Sequence, residues 1–90
     1  MAMIGMDVEQ ATASANKWKS QSDQLAQLTT TMNQLVTALD QIWKGTDATK
    51  FIHTDWPSQK KNLDQCKQVV DKMIQELKQD IEEQKNASSK

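Results

Sequence analysis

The feature that most constrains this chain is a repeat of apolar and small residues, spaced three and four apart, that is interrupted once at Gly45. Only two glycines and one proline occur among the 90 residues, so few positions can break a helix. A spacing that alternates between three and four places the repeat along one face of an α-helix. The sequence therefore predicts two long amphipathic helices joined near Gly45.

The first helix is predicted over about residues 7–43. Asp7 is a favourable N-cap residue, and Gln10 follows three residues later, as in a capping box. The stripe consists of Val8, Ala11, Ala15, Trp18, Ser22, Leu25, Thr29, Met32, Val36, Leu39 and Trp43, widened by Leu28, Leu35 and Ile42. A stripe of this width exceeds the narrow seam of a two-stranded coiled coil.

The turn is predicted at residues 44–46, because glycine readily adopts the left-handed conformation common at helix ends. A short helix over residues 47–55 should follow. Thr46 or Asp47 can cap it, and the Asp47 carboxylate would favour the positive end of the helix dipole.

Pro57 lies inside the second stripe, where it lacks a backbone donor and crowds the preceding turn. We therefore expect a kink at Pro57, a second long helix over about residues 57–85, and a frayed polar tail at residues 86–90. The second stripe consists of Ile52, Trp56, Leu63, Cys66, Val70, Met73, Leu77 and Ile81, broadened by Val69 and Ile74.

These elements predict an all-α fold with a single domain over residues 1–90. The short turn makes the two helices antiparallel neighbours in a helix-turn-helix hairpin. A lone hairpin would leave one side of each broad stripe in water, so we expect it to dimerise into a four-helix bundle.

The charge pattern disfavours several classes of partner. The net charge is -1, and lysines are interleaved with aspartates and glutamates, so there is no basic patch for nucleic acid. No segment approaches the roughly 20 apolar residues that span a bilayer, so no stable membrane insertion is expected. The first residues also lack the basic and apolar regions of a Sec signal peptide.

No catalytic or metal-binding arrangement is predicted, and we expect no cofactor. His53 is the only histidine, and no Cys, Asp or Glu residues with metal-ligand spacing surround it. Cys66 lies on the apolar stripe, where a thiol behaves as a small hydrophobic residue, so it is expected to pack in the core. The acidic run of Asp80, Glu82 and Glu83 is interpreted as a solvated helix face. The chain is therefore not expected to be an enzyme.

Around the predicted turn, Trp43-Lys44-Gly45 continues as Thr46-Asp47-Ala48-Thr49-Lys50-Phe51, and Trp56 follows. Together with the length and the two flanking helices, this run resembles the WXG family, the early-secreted-antigen-like proteins of type VII (ESX) secretion. The pattern W-x-G-x-D-A-x-x-F followed by a second tryptophan looks like the actinobacterial branch. The resemblance covers essentially the whole chain.

The resemblance implies a four-helix-bundle dimer, formed with itself as a homodimer, with a related WXG protein or with a larger type VII substrate. It also implies export by a membrane-embedded ESX ATPase, and hence secretion from the cytoplasm. The implied secretion and turn motif comprises Trp43, Gly45, Asp47, Ala48 and Phe51. The predicted core and interface residues are Val8, Trp18, Leu25, Met32, Leu39, Trp56, Leu63, Val70, Met73 and Leu77.

One departure from the family leaves two functions open. Relatives complete their export signal with a Tyr-x-x-x-Asp/Glu tail motif close to the partner's turn, but this sequence contains no tyrosine. The chain is therefore expected to be a secreted substrate or co-secretion partner, or else an intracellular adaptor that targets a larger toxin to the same apparatus. A membrane-active helical protein is disfavoured, because that class prefers Lys and Arg on its polar face.

Overall fold

A computed structural model describes residues 5–88, and the structural statements below concern this part of the chain. Helix α1 spans Val8–Ile42, α2 spans Thr46–Lys50, a π-helical segment spans Phe51–Asp55, and α3 spans Trp56–Ser88. The described residues contain no β-strand. The predicted all-α hairpin is confirmed, because α1 packs along the length of a second arm made of α2, the π-helical segment and α3.

The predicted N-cap of α1 is confirmed. Asp7 has an extended backbone, and its Oδ1 accepts a hydrogen bond from the backbone N–H of Gln10 at 3.0 Å. This bond satisfies one of the N–H groups that the first turn of a helix leaves free. The 35 residues of α1 then continue without a break to Ile42, a length of about 52 Å at 1.5 Å per residue.

The sequence predicts a short helix over residues 47–55, a kink at Pro57 and a long helix from residue 57. The backbone is helical throughout this stretch: it passes through the π-helical segment Phe51–Asp55, and the N–H of Trp56 donates to the carbonyl of Phe51. A regular α-turn would bring the Pro57 ring against the carbonyl of His53. We attribute the wider π-turn to relief of that contact, and it keeps the arm helical.

The end of the second arm also differs. Helix α3 continues to Ser88, three residues beyond the predicted end at residue 85, although the segment is polar. The remaining part of the predicted tail, residues 89–90, lies outside the described residues, as do residues 1–4.

The core is a narrow seam between α1 and the second arm. On α1 the most buried residues are small and recur every seven positions: Ala15, Ser22 and Thr29 are at most 6% exposed. The second arm contributes the larger buried side chains Ile52, Trp56, Ile74 and Ile81, at most 9% exposed. Small residues on one helix leave room for large ones on the other, so the two backbones can approach closely.

Polar side chains cross the seam at two levels. Trp56 Nε1 donates a hydrogen bond to Asn33 Oδ1 at 2.9 Å. Further from the turn, Ser22 Oγ donates to Asp71 Oδ1, and Lys67 Nζ donates to Asp71 Oδ2 at 2.7 Å. A one-residue slip of either helix would break both cross-helix bonds, so they fix the register of the hairpin.

The hairpin is an open rod rather than a compact domain. Its extents are 67 × 19 × 16 Å and its radius of gyration is 20.0 Å, against about 12 Å for a compact chain of this length. Its accessible surface is 7078 Å², compared with roughly 5,300 Å² for a compact monomer of this mass. Two helices side by side form a single layer, which leaves most of each helix surface uncovered.

Removing the Asn33 acceptor should weaken the hairpin. Asn33→Ala leaves the part-buried Trp56 N–H without its partner, which should cost about 1–2 kcal/mol of unfolding free energy. The measurement is urea unfolding followed by circular dichroism. Asn62→Ala is the matched control, because exposed Asn62 makes only a 3.5 Å hydrogen bond within its own helix. Equal losses for the two variants would contradict the assigned role of Asn33.

The Asp71 carboxylate should make hairpin stability depend on acidity. The hydrogen bond from Lys67, followed by that from Ser22, lowers the pKa of Asp71 from its ordinary value of 3.8. A lowered folded-state pKa contributes stability above pH 3.8, and that contribution is lost as the pH falls through the folded value. Asp71→Asn should therefore destabilise the protein at pH 7 more than at pH 3.

The pH dependence can be followed by urea unfolding at both pH values. Ser22→Ala removes one of the two donors and should give a smaller difference of the same sign. A loss in Asp71→Asn that is the same at pH 7 and pH 3 would mean that the charge of this carboxylate has no role in stability.

Candidate interaction surface

The Trp-x-Gly segment forms the turn between the two arms. Helix α1 ends at Ile42, and Trp43 is extended, with its N–H donating to the carbonyl of Leu39 at 2.9 Å. Gly45 has φ of 120° and ψ of −179°, a combination that is essentially restricted to glycine. The predicted turn at residues 44–46 thus depends on the backbone freedom of one residue.

Gly45 itself precedes α2 as its N-cap, which corrects the prediction of a side-chain cap at Thr46 or Asp47. No side chain caps this helix. Instead, the Gly45 carbonyl accepts two hydrogen bonds from Thr49, one from its backbone N–H and one from its Oγ1 hydroxyl, each at 3.0 Å. Asp47 lies in the first turn of α2, where a carboxylate favours the positive end of the helix dipole.

The turn brings Trp43 and Phe51 together. Their ring centroids are 5.7 Å apart at an interplanar angle of 56°, within the range of favourable tilted aromatic pairs. Both rings remain partly open to solvent, with exposures of 37% and 45%. Ala48 lies three residues before Phe51 and is buried. Two exposed aromatic side chains, held by a glycine-dependent turn, therefore mark one end of the rod.

Large apolar side chains also remain exposed along one side of the rod, a surface that we call the apolar face. In α1 it contains Trp18, Leu28, Met32, Leu35 and Ile42, and in the second arm it contains Phe51, Cys66, Val69 and Met73. Within α1, Leu28, Met32 and Leu35 are three or four positions apart, and Ile42 follows Leu35 by seven, which places these four residues on one side of the helix. Single exposed apolar residues are ordinary, but a continuous row of them indicates a binding surface.

Two grooves between the arms lie on the apolar face. The turn-end groove, about 330 Å³, is lined by Met32, Phe51, Asp55, Trp56, Gln59 and Leu63. The open-end groove, about 160 Å³, is lined by Trp18, Met73, Ile74 and Leu77. Because each groove contains residues of both arms, the exposed apolar residues of α1 and α3 are on the same side of the hairpin.

The opposite side of the rod is polar. A groove there is lined by Ala26, Thr29, Thr30, Asn33, Lys60, Asp64 and Lys67. Lys60 pairs with Asp64 at 3.2 Å within α3, and Lys19 pairs with Asp23 at 2.5 Å within α1. The hydrogen bond to Asp23 is the main reason that the pKa of Lys19 is raised. This side satisfies its charges locally, in contrast to the apolar face.

The predicted core and interface residues divide into three groups. Trp56 is buried in the seam; Val8, Leu25, Leu39, Leu63, Val70 and Leu77 are partly buried; Trp18, Met32 and Met73 are exposed. Cys66 was predicted to be a core residue, but it is exposed, so that prediction is wrong for the single hairpin. Its stripe position points beside the seam rather than into it.

Sequence patterning missed the polar residues that cross the seam. Asn33 and Asp71 belong to neither stripe, and nothing in their own residue types distinguishes them from solvated positions. The available signal was their spacing: Asn33 follows seam residue Thr29 by four positions, which places both on one helix face.

The titratable residues of the described segment do not form a metal site, since no group of three or more possible ligands occurs there. The Nε2 of His53 lies 3.5 Å from Asp40 Oδ1, and Asp40 is also 3.9 Å from Lys44. All three side chains are well exposed, and His53 and Lys44 both lie close to the Asp40 carboxylate beside the turn. Within the described residues, no helix is long and apolar enough to cross a bilayer.

Comparison with known proteins found no similar protein. The chain matches no protein-family model, no curated protein and no solved structure.

The backbone of Gly45 gives a direct test of the turn. Gly45→Ala should lower the unfolding free energy by about 1–3 kcal/mol, because an L-residue is strained at this φ and ψ. The added Cβ itself would meet no atom within 4 Å, so backbone strain alone accounts for the loss. Thermal unfolding measures it, with Lys44→Ala as the neighbouring control. A Gly45→Ala variant as stable as Lys44→Ala would show that the turn does not require this conformation.

Proposed function

We propose that this chain is a non-enzymatic WXG-type protein that acts as a substrate or co-secretion partner of a type VII (ESX) secretion system. It works by docking through two surfaces, the apolar face and the Trp-x-Gly turn. Its partners are a second WXG-type hairpin or a larger type VII substrate, together with the ESX membrane ATPase. It is cytoplasmic before export and extracellular afterwards.

The apolar face is the observation that carries this proposal. In α1 no charged residue occurs between Asp23 and Asp40, a stretch of about four turns that includes Leu28, Met32 and Leu35. Leu28 and Leu35 are 53% and 61% exposed. A surface helix that faced only water would gain from charges here. The uncharged stretch supports a partner that covers this face.

A helical partner suits this face best, because its exposed apolar residues follow α1 from Ile42 beside the turn to Trp18 in the N-terminal half of the helix. A second hairpin would place two more helices over the row and complete a four-helix bundle. Such packing would give each broad stripe a partner on both of its sides.

The turn provides a second surface, at the end of the rod. The apolar face can be covered along the side of the rod while Trp43 and Phe51 remain accessible at its tip. An exposed aromatic pair is a suitable anchor for recognition, because aromatic side chains contribute much of the binding energy at protein interfaces. This separation supports the assignment of export recognition to the turn and of partner binding to the face.

An intracellular adaptor is the second candidate function. It is favoured by the absence of tyrosine from these 90 residues, because the tail motif of exported relatives requires one. In this role the hairpin would bind a larger toxin through the apolar face and deliver it to the apparatus without leaving the cell.

Export can be tested by immunoblotting culture filtrate and cell lysate of the source organism, with and without its ESX ATPase. Protein in the filtrate that disappears without the ATPase is the expected result. Protein confined to the lysate in both strains would instead favour the adaptor, whose cargo could then be recovered by affinity purification. Filtrate protein that does not depend on the ATPase would contradict both functions.

The turn can be tested separately with Trp43→Ala combined with Gly45→Ala. We expect the purified double variant to stay mostly helical by circular dichroism, because the seam residues Ala15, Ser22 and Ile74 lie far from the turn. Its export should fall at least tenfold. Lys44→Ala, between the two positions, is the control and should be exported normally. A double variant that loses its helical signal would remove the case for a recognition role separable from folding.

A further inference from the structure

We propose that Pro57 and the Lys50–Asp55 pair are positioning residues for the aromatic pair at the turn. They hold the segment Phe51–Asp55 in π-helical geometry, which turns the Phe51 ring toward Trp43 and into the turn-end groove. The inference rests on the proposed function only where it takes this aromatic pair as the surface recognised for export. It adds the residues that set where the pair is displayed.

The first observation is the spacing between Phe51 and Trp56. Trp56 is buried in the seam, where its Nε1 donates to Asn33 Oδ1 at 2.9 Å, so its direction is fixed. In an α-helix, residues five apart point about 140° away from each other. In a π-helix, the N–H of residue i+5 donates to the carbonyl of residue i, so residues five apart lie on nearly the same side. Trp56 and Phe51 are bonded in this way, and the Phe51 ring therefore shares the side of the arm that Trp56 occupies.

The second observation is the lining of the turn-end groove. Trp56, Gln59 and Leu63 are three and four residues apart, so they line the groove from one face of the regular helix α3. Phe51 lines the same groove and also contacts Trp43, with ring centroids 5.7 Å apart. With α-helical geometry throughout and Trp56 held in the seam, the Phe51 ring would leave this face. The π-helical segment is therefore what lets one side chain link the turn to the groove.

The third observation is the ion pair that spans the π-helical segment. Lys50 Nζ lies 2.8 Å from Asp55 Oδ2, and the two residues are five positions apart. Residues that face each other on an α-helix are three or four apart, so this pair suits the wider π-turn. Three pairs within the long helices follow the α-helical spacing of four: Lys19–Asp23, Lys60–Asp64 and Lys67–Asp71. Because the Lys50 and Asp55 side chains are 70% and 47% exposed, we assign their pair a smaller contribution than Pro57.

Pro57 is the residue that disfavours an α-helical alternative. It has no N–H to donate to the carbonyl of His53, and its ring would press on that carbonyl in a regular α-turn. Proline is the least favourable residue inside a helix, and Pro57 is the only proline in the sequence. It stands directly after Trp56, where the resulting π-turn redirects Phe51. π-turns inside helices are frequent at functional sites, which agrees with a positioning role at the proposed recognition surface.

The test is Pro57→Ala in the full chain, with Ser58→Ala as the matched control at the next, exposed position. The measurement on purified protein is the nuclear Overhauser effect (NOE) between the ring protons of Trp43 and Phe51. We expect this NOE to be lost in Pro57→Ala, because alanine lets the segment adopt an α-helix, and to persist in Ser58→Ala. The thermal midpoint of Pro57→Ala should equal or exceed that of the wild type, since alanine suits a helix interior.

Export of the same variants separates positioning from folding. Pro57→Ala should be exported at least fivefold less than wild type although it is no less stable, whereas Ser58→Ala should be exported normally. An NOE that persists in Pro57→Ala would overturn the role of Pro57. A Pro57→Ala variant that melts well below the wild type would also overturn it, since the proline would then be needed for folding. Loss of the NOE with normal export would support the positioning and contradict the recognition role of the turn, so the two proposals fail separately.

A charge swap tests the Lys50–Asp55 pair. Lys50→Asp alone places two carboxylates together and should at least halve the intensity of the Trp43–Phe51 NOE at low salt, where exposed charges are least screened. Adding Asp55→Lys restores an opposite-charge pair at the same spacing, so the NOE should return to its wild-type intensity. A swapped variant whose NOE stays as weak as that of the single variant would overturn the positioning role assigned to this pair.

Discussion

The contact between small residues of α1 and large residues of the second arm determines where every other apolar side chain can go. Ala15, Ser22 and Thr29 occupy the seam, so the facing Ile74 and Trp56 fill it from one side only. The larger residues of α1, such as Leu28 and Leu35, cannot then contribute to the same contact. They lie beside it, all on one side, and the apolar face is the direct consequence of a seam built from small residues.

The polar bonds across the seam give this weakly apolar contact its specificity. The small seam residues Ala15, Ser22 and Thr29 recur every seven positions and are similar in size. A shift of α1 by seven residues against the second arm would therefore cost little in apolar packing. The Trp56–Asn33 and Ser22–Asp71 bonds belong to a single register, and leaving their part-buried atoms unpaired is unfavourable. Gly45 acts with them, since it fixes the point at which the chain reverses.

The sequence predicted the outline of this fold because its strongest signals are local. The three-four spacing identified both helices, Asp7 and Gln10 identified the start of α1, and Gly45 identified the turn. Two details depend on backbone geometry that spacing does not report. Pro57 was expected to interrupt the second arm, and the backbone stays helical there through a π-helical segment at Phe51–Asp55. The cap of α2 was expected from a side chain, but Gly45 occupies that position without one.

The division of the stripes into core and surface was harder to predict, because a heptad pattern gives the direction of a residue but not which neighbour covers it. Trp18 and Trp56 are the same residue type on similar stripes, yet Trp56 is buried by α1 and Trp18 is 45% exposed. Trp56 crosses the seam to reach Asn33, whereas Trp18 lies beside the seam, next to Met73 and Leu77. Cys66 was misplaced for the same reason: its position beside the seam is buried only if a further helix packs there.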